Sequence, residues 1–277
     1  MRTPPRRRSS ALSTADRASG YFALPRPRVL AHRGLALDAP ENTLLAFEKA
    51  LAAGARYLET DVHASADGVA VISHDPDLSR LAGRPERIEQ LSAAELAAID
   101  LGSGQSFATL AQLLTAFPEA RVNIDVKSRA AADAAARAIR DTGASQRVLV
   151  TSFDNATRKA TLAALGGAES RAGASVATSA SQRGVILALF GSWLGLDVLV
   201  RAALKGVDAV QVPERRGPLP VVTPTYIAAM HRAGVEVHVW TVNEEADMRR
   251  LLGLGVDGIV TDRADLALGI VKHLAKP

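Results

Sequence analysis

The sequence predicts a single α/β domain folded as a TIM-type (β/α)8 barrel, with a small insertion after the second strand. Two observations predict this fold. Short apolar runs alternate with amphipathic segments from residue 28 onwards, in eight strand–helix units, and this alternation is typical of a parallel sheet covered by helices. The length of 277 residues is also that of one barrel domain. An open, doubly wound sheet is the alternative, and a closed barrel is the simpler arrangement.

The strands are predicted from buried runs rich in β-branched residues. They cover residues 28–31, 56–62, 121–127, 147–152, 171–176, 207–212, 235–241 and 256–261. Helices with apolar residues at helical spacing are predicted between them. They cover residues 40–53, 110–117, 130–141, 156–165, 181–204, 224–233, 244–252 and 264–274.

Local signals support the first elements of this assignment. Polar residues at positions 40–43 are typical of a helix start, and Gly54 is typical of the end of that helix. The dipeptide Asp67-Gly68 predicts a tight turn that returns the chain beside the second strand. Residues 76–106 are polar and irregular, and we predict an insertion there with one helical turn at residues 92–98.

The composition excludes several classes of site and partner. The proportions of 48% hydrophobic and 22% charged residues are ordinary for a soluble enzyme. Because the chain has no cysteine, a disulfide framework, a thiolate metal site and a cysteine nucleophile are all excluded. We find no basic groove with interleaved aromatic residues, so we expect no nucleic-acid partner.

The formal net charge of +4 lies entirely in the first 20 residues, where five arginines accompany one aspartate. The rest of the chain is therefore neutral. We predict that residues 1–24 form a disordered, solvated tail and that residues 25–277 form the barrel domain. No apolar segment follows the arginine run, so no secretory signal is predicted and the expected location is cytoplasmic.

The longest apolar run, residues 185–196, is too short to span a membrane. We interpret it as part of a buried barrel helix. The alternative is a helix that touches a membrane and helps the protein reach lipid substrates, but residues 185–200 contain no lysine or arginine, which argues against an interfacial helix. We therefore expect no stable membrane insertion.

The second strand carries the strongest chemical signal in the chain. Glu59 and Asp61 are two residues apart on this strand, so both carboxylates leave the same face. The predicted hairpin brings His74 back beside them. Carboxylates in an apolar run need a counter-charge, and a hard divalent cation beside a histidine acid/base group would supply it.

Other strand ends add to this constellation, because barrel active sites form where the strands end. His32 and Arg33 follow the first strand, and Asp125 and Lys127 share one face of the third. Three carboxylates, two histidines, an arginine and a lysine at one mouth predict a site for a metal ion and a phosphate.

Structural roles are predicted for several other polar residues. Glu41 is expected near the site at the start of the first helix, and His63 in a solvated turn past the strand end. His238 is expected to be a hydrogen-bonded histidine of the barrel core, and Asp262 to cap the last helix. The roles of Ser152 and Gln211 stay open. Each is either a polar contact to the substrate or a hydrogen-bonded residue at the barrel mouth.

Six motifs together resemble the glycerophosphodiester phosphodiesterase family over residues 28 to about 273. Their order and spacing are highly specific, although each motif alone is weak. They are H-R-G at residues 32–34, P-E-N-T at 40–43, E-T-D-V at 59–62, D-G-V-x-V-x-x-H-D at 67–75, W-T-V-N at 240–243 and G-V-D-G-I-V-T-D at 255–262.

The resemblance implies a TIM-type barrel with one divalent cation, Ca²⁺ or Mg²⁺, that hydrolyses small-molecule glycerophosphodiesters to sn-glycerol 3-phosphate and an alcohol in glycerophospholipid metabolism. It implies that His32 and His74 are the acid/base pair. The other implied positions are metal ligands at Glu59, Asp61 and Asp125, phosphate contacts at Arg33 and Lys127, and a pocket wall at Trp240. Asp125 stands where the family usually has a glutamate, so its carboxylate reaches about one methylene less far.

Several alternatives stay open at this point. The nucleophile is either water or the glycerol 2-hydroxyl of the substrate, and either histidine can be the base. The nearest rival function is a lysophospholipase D that acts on lipids through an apolar mouth, for which residues 185–196 are the candidate segment. A catalytically inactive, phosphoester-binding barrel is the rival from another class, and two retained histidines argue against it. The sequence predicts no particular oligomeric state.

Overall fold

A computed structural model describes residues 20–166 and 176–274. Within these ranges, eight parallel strands form the barrel: β1 (Arg28–His32), β2 (Tyr57–Ala64), β4 (Arg121–Val126), β5 (Val148–Thr151), β6 (Ala177–Thr178), β7 (Ala209–Pro213), β10 (Glu236–Trp240) and β11 (Gly258–Thr261). The strand order is β6-β5-β4-β2-β1-β11-β10-β7. A parallel bridge between Ser179 and Ala209 closes the barrel between β6 and β7. The predicted (β/α)8 barrel is confirmed.

Helices cover the outside of this barrel. They are α1 (Leu44–Ala52), α2 (Ser79–Ala82), α3 (Ala93–Ala97), α4 (Leu110–Ala116), α5 (Ala131–Asp141), α6 (Asn155–Ala164), α7 (Gln182–Trp193), α8 (Asp197–Ala203), α9 (Pro224–Arg232), α10 (Glu245–Gly253) and α11 (Ala264–Leu274). Short 3₁₀ turns lie at Ile88–Gln90 and Ala144–Gln146, and three short strands lie outside the barrel at β3 (Ala70–Ile72), β8 (Arg215–Arg216) and β9 (Leu219–Pro220).

The main apolar core lies between the strands and these helices. Side chains on the outward faces of the strands, such as Leu58 and Val122, pack with helix residues such as Phe47 and Ile139. All four side chains are fully buried. Burial of apolar surface supplies the main favourable term in the free energy of folding. The outward faces of the strands therefore stabilise the fold, and their inward faces can carry polar groups.

The barrel interior combines a small apolar cluster with a polar network. Arg28 donates to Glu236 through Nε and Nη2, at 2.9 and 3.0 Å. His238 Nε2 lies 3.1 Å from the same carboxylate, and His238 is fully buried, which agrees with its predicted place in the core. A Cβ at Gly258 would lie 2.9 Å from the His238 ring. Glycine at this position thus leaves room for the buried imidazole.

The chain between β2 and α4 forms the predicted insertion. Gly68 has a φ of +74° in the turn of the β2–β3 hairpin, whose strands pair antiparallel. The insertion has its own apolar cluster around Leu78 and Ile88. The prediction that His63 is a solvated turn residue is wrong, because β2 continues to Ala64 and the half-buried His63 ring lies 3.2 Å from the His74 carbonyl oxygen.

The N-terminal segment contacts the barrel earlier in the chain than we expected. Tyr21 is 2% exposed and packs in the interior cluster with Leu30 and Tyr57. Residues 20–24, which we assigned to the tail, are thus part of the packed structure. The rest of the predicted tail, residues 1–19, lies outside the described residues, and so do residues 171–175 of the predicted fifth strand. The observed strand, β6, begins at Ala177, after the end of the predicted range at residue 176.

The predicted helix over residues 181–204 is two helices, α7 and α8. Gly195, with a φ of +67°, lies between them, and a left-handed residue at this point ends a helix. The prediction that the apolar run is buried is also wrong, since Phe190 is 52% and Trp193 is 47% exposed. No helix in the two described ranges is long and apolar enough to cross a membrane.

Candidate active site

A cavity of about 470 Å³ opens where the barrel strands end. It is lined by most of the residues that the sequence analysis proposed for the site, which come from five strands or the loops after them: His32, Arg33, Glu59, Asp61, His74, Asp125, Lys127 and Trp240. The carboxyl ends of parallel strands meet at one face of the barrel, so residues far apart in the chain converge there.

Three carboxylates lie buried at the base of this cavity. Glu59, Asp61 and Asp125 are 6%, 2% and 6% exposed, and Asp61 lies directly opposite Asp125 in the register of β2 and β4. Burial, followed by the charge of Asp61, raises the pKa of Glu59 to about 8. Burial also raises the pKa of Asp125. The cluster therefore holds more negative charge than it readily accommodates.

Two cationic side chains compensate part of this charge. Lys127 Nζ lies 2.7 Å from Asp61 Oδ1 and 2.7 Å from Asp125 Oδ2, and Arg33 Nε lies 3.3 Å from Asp61 Oδ2. Burial opposes the ionisation of Asp61, but Lys127 and then Arg33 outweigh it and lower the pKa of this carboxyl. Asp61 is thus the carboxylate with the strongest cationic surroundings.

His32 is oriented by a carboxylate on the neighbouring strand end. Its Nδ1 lies 2.6 Å from Asp262 Oδ1, and its Nε2 lies 3.9 Å from Glu59 Oε2. Burial lowers the pKa of His32, but the hydrogen bond to Asp262 and the charge of Glu59 raise it above its usual value. Asn243 Nδ2 donates to Asp262 Oδ2 at 2.7 Å. Asp262 therefore holds the His32 ring instead of capping the last helix as we predicted.

His74 is oriented in the same way from the other side of the cavity. Its Nδ1 lies 2.7 Å from Asp75 Oδ1, and Arg80 Nε donates to Asp75 Oδ2 at 2.5 Å. A carboxylate at Nδ1 selects the tautomer and leaves Nε2 for proton transfer. Both histidines thus have an Nδ1 partner and line one cavity.

The loop after β1 has an unusual backbone that brings Arg33 into the site. Arg33 has a φ of +56° and Gly34 a φ of +88°. A Cβ at Gly34 would lie 2.6 Å from the carbonyl carbon of Ala46, so only glycine permits the loop to pack this closely on α1. Asn42, with a φ of +57°, donates to Asp61 Oδ2 at 3.2 Å.

One wall of the cavity is apolar. Trp240 packs edge-to-face on Phe153, with ring centroids 5.9 Å apart. Val185, Ile186 and Leu189 of α7 complete this wall. The exposed side chains of the same helix continue the apolar surface outside the cavity. The site therefore offers a charged base for a phosphate and an apolar side for another part of a ligand.

The two residues whose roles the sequence left open, Ser152 and Gln211, both line the cavity. Ser152 Oγ donates to the Val126 carbonyl at 2.8 Å, as expected of a satisfied residue at the barrel mouth. Gln211 Nε2 donates to Asn123 Oδ1 at 2.9 Å on the cavity floor. Glu41 accepts from Arg33 Nη1 at 3.0 Å and from Arg80 Nη2 at 2.6 Å. Glu41 thus lies behind the cavity, beside Arg33.

Sequence reasoning missed three polar residues that support the site. Asn42 lies within the P-E-N-T motif, and its side-chain amide, which hydrogen-bonds well in loops, was the available signal. Asp75 directly follows His74 in the sequence, which was a signal for a carboxylate partner. Arg80 lies in the insertion on α2, and no spacing in the sequence indicated that it reaches Glu41 and Asp75.

The donor chemistry at the base of the cavity fits a hard divalent cation. Asp125 Oδ1 is buried without a hydrogen-bond partner, and the raised pKa of Glu59 indicates a shortage of positive charge. Carboxylate oxygens are the ligands that Ca²⁺ and Mg²⁺ prefer. In residues 20–166 and 176–274, however, no three His, Asp or Glu side chains lie so arranged that they could hold a metal ion as they stand. Lys127 contacts both Asp61 and Asp125 in this structure.

Comparisons with known proteins agree on one family. Residues 32–266 match the Glycerophosphoryl diester phosphodiesterase family. The chain is 40% identical over 238 residues to the Mycobacterium tuberculosis protein named probable glycerophosphodiester phosphodiesterase 2, covering 86% of this chain and 88% of that protein. It is 25% identical over 276 residues to the rat lysophospholipase D GDPD1, covering 85% of this chain and 83% of that protein.

A solved structure supports the same assignment. The glycerophosphodiester phosphodiesterase of Agrobacterium tumefaciens superposes with a TM-score of 0.70 at 25% identity, covering 88% of this chain and 99% of that one. The match to the family extends over most of the chain, and it includes both histidines and all three carboxylates of the cavity. The chain therefore belongs to the glycerophosphoryl diester phosphodiesterase family, and the prediction that it is a phosphoric diester hydrolase is confirmed.

Proposed function

We propose that this protein hydrolyses glycerophosphodiesters to sn-glycerol 3-phosphate and an alcohol, using one divalent cation and the two histidines. One observation carries the proposal: His32 and His74, each with Nδ1 held by a carboxylate, line the same cavity as Arg33 and Lys127. Two positioned proton carriers beside two fixed cations are what phosphodiester cleavage needs.

The proposed chemistry follows from these positions. Arg33 and Lys127 bind the phosphate oxygens, and Glu59, Asp61 and Asp125 would hold the cation. When bound, a divalent cation neutralises charge that builds up on the phosphoryl oxygens. One histidine takes the proton of the nucleophile as its oxygen bonds to phosphorus. The other histidine donates a proton to the oxygen of the leaving alcohol as the bond between phosphorus and this oxygen breaks.

The nucleophile is water in the direct route. In the alternative route it is the glycerol 2-hydroxyl of the substrate, which gives a cyclic phosphate that water then opens. Both routes use the two histidines in the same positions. In the cyclic route their roles are exchanged in the second step, when water opens the cyclic phosphate.

The apolar wall favours a second candidate function, the cleavage of lysophospholipids by a lysophospholipase D reaction. Ile186 and Leu189 line the cavity, and Phe190 and Trp193 continue the apolar surface on the outside of α7. An acyl chain could follow this surface away from the charged base of the cavity. The exposed aromatic pair is of the kind that membrane interfaces favour.

One panel tests both functions. We expect the native protein to release sn-glycerol 3-phosphate from glycerophosphocholine and related diesters, with Ca²⁺ or Mg²⁺ present, and to lose this activity in a chelator. Lysophosphatidylcholine, presented as monomers and in vesicles, is assayed alongside for choline release. Faster cleavage of the lysophospholipid would favour the second candidate. Cleavage of neither class under any metal condition would contradict both.

We expect Asp262→Asn to lower the pKa of His32, because Asp262 stabilises the protonated ring. Loss of one opposing charge corresponds to about 1 pH unit. The limb of the pH–kcat profile that His32 controls should therefore move to lower pH. Movement of the acid limb identifies His32 as the base, and movement of the alkaline limb identifies it as the acid. Asp265→Asn is the control, because Asp265 pairs with Arg263. Limbs that do not move in Asp262→Asn would contradict the prediction.

A further inference from the structure

Arg80 lies behind the cavity and pairs with two carboxylates. It lies on α2, in the insertion, and its side chain is 48% exposed. Its Nη2 donates to Glu41 Oε1 at 2.6 Å and its Nε donates to Asp75 Oδ2 at 2.5 Å. Glu41 precedes α1 in the chain, and Asp75 follows β3. One guanidinium thus joins carboxylates from two separate loops of the site.

Each of these carboxylates also holds a residue of the proposed machinery. Asp75 Oδ1 lies 2.7 Å from His74 Nδ1, and Glu41 Oε1 lies 3.0 Å from Arg33 Nη1. Arg80 is therefore separated by one carboxylate from a proton carrier and by one carboxylate from a phosphate-binding cation. It contacts neither of them directly in the described structure.

We propose that Arg80 is a positioning residue that keeps His74 and Arg33 at a fixed distance from one another across the mouth of the cavity. The inference rests on the proposed function for the roles of His74 and Arg33. Removal of the outer groups that hydrogen-bond to the ligands of a metal site commonly costs about 10–100-fold in affinity or activity, and we expect an effect of the same size here. Small misplacement of a reacting group has effects of this size.

The arrangement requires a guanidinium. Two different nitrogens of Arg80, Nε and Nη2, reach two carboxylates at once. The planar group holds these nitrogens in a rigid fork, whereas the ammonium of lysine is a single point at the end of a flexible stem. Lysine at this position would present a single nitrogen, as Lys127 does between Asp61 and Asp125. We expect it to hold the two carboxylates without the fixed relative orientation that the fork imposes.

We expect the insertion to fold without Arg80, because it has an apolar cluster of its own. Leu78 and Ile88 are 0% and 1% exposed and belong to the separate apolar cluster of this segment, which anchors α2 independently of the arginine. The same segment offers a matched control in Arg84, whose side chain is 43% exposed and pairs with Glu86, away from the cavity.

The test compares Arg80→Ala, Arg80→Lys and Arg84→Ala in the full-length protein, with the divalent ion that supports native activity. We expect Arg80→Ala to lower kcat/KM by about 10–100-fold, with an unchanged thermal midpoint, and Arg84→Ala to stay within about twofold of native. Arg80→Lys should recover only part of the loss. Added methylguanidinium should raise the activity of Arg80→Ala and leave that of Arg84→Ala unchanged.

A double-mutant cycle tests whether Arg80 acts on His74 through Asp75. The loss in Arg80→Ala combined with Asp75→Asn should be smaller than the product of the two single losses, because both changes release His74. Binding of sn-glycerol 3-phosphate, measured by calorimetry, should weaken in Arg80→Ala and not in Arg84→Ala, because Glu41 and Arg33 are released.

The outcomes separate the inference from the proposed function. A native protein that cleaves no diester contradicts the proposed function, and product binding still tests Arg80. Equal activity and equal product binding in Arg80→Ala and Arg84→Ala overturn the inference alone. A loss in Arg80→Ala that comes with a lower thermal midpoint and no methylguanidinium response also overturns it, since the role would then be structural.

Discussion

Replacing His32 or His74 with glutamine is expected to lower kcat for glycerophosphodiester hydrolysis by about 10²–10⁴-fold, the range for loss of a positioned acid or base. Both rings line the cavity with Nδ1 held by a carboxylate. Glutamine retains hydrogen-bonding capacity and cannot exchange a proton near neutral pH. The measurement is steady-state release of sn-glycerol 3-phosphate, with the thermal midpoint as a check on folding.

A substrate with an acidic leaving alcohol, such as p-nitrophenol, distinguishes the two roles. A good leaving group needs no proton from the enzyme, so it should restore much of the rate in the variant that lacks the acid and little in the one that lacks the base. His273→Gln is the control, because His273 lies on α11 with its Nδ1 2.6 Å from the Gly269 carbonyl oxygen. Native-like rates in both site variants would contradict the acid/base roles of His32 and His74.

The second large effect is expected for Asp61→Asn. Asp61 is the carboxylate that Lys127, Arg33 and Asn42 all contact. The neutral amide removes a ligand for the proposed divalent cation, and it removes the charge that fixes Lys127 and Arg33, the proposed phosphate-binding residues. Several kcal/mol of transition-state stabilisation come from a bound cation, and 1.36 kcal/mol corresponds to a factor of ten. We expect kcat/KM to fall by about 10²–10³-fold.

A cation titration tells how this loss arises. If Asp61 helps to bind the metal, the Ca²⁺ or Mg²⁺ concentration that gives half-maximal activity should rise in Asp61→Asn. It should not change in Asp133→Asn, at an exposed aspartate on α5. Activity of the native protein that is the same with a chelator and with either ion would contradict the proposed cation, whatever the variant does.

The exposure of α7 differs from the prediction. Residues 185–196 were predicted to be buried, since a long apolar run in a barrel protein usually packs on the strands. The structure divides the predicted helix of residues 181–204 into two helices and leaves Phe190 and Trp193 exposed on α7. Periodicity could not predict this, because α7 is apolar on nearly all sides and no polar face marks the solvent side.

The sequence by itself determined the barrel, seven of its eight strands and the main candidate residues of the site. It could do so because strand–helix alternation dictates a parallel sheet, and the strand ends of such a barrel converge on one face. Glu59 and Asp61 share a face through the two-residue period of β2, and the hairpin at Asp67-Gly68 returns His74 to them. These are local patterns.

Only the tertiary structure decided which groups pair. The bond of His32 to Asp262 joins residues 230 positions apart, and Lys127 lies between two carboxylates that adjacent strands hold in register. Arg80 reaches Glu41 from the insertion, 39 positions away. No periodicity encodes such contacts, because each depends on how separate elements pack. The pKa of Glu59 likewise follows from burial and from neighbours that only the folded barrel brings together.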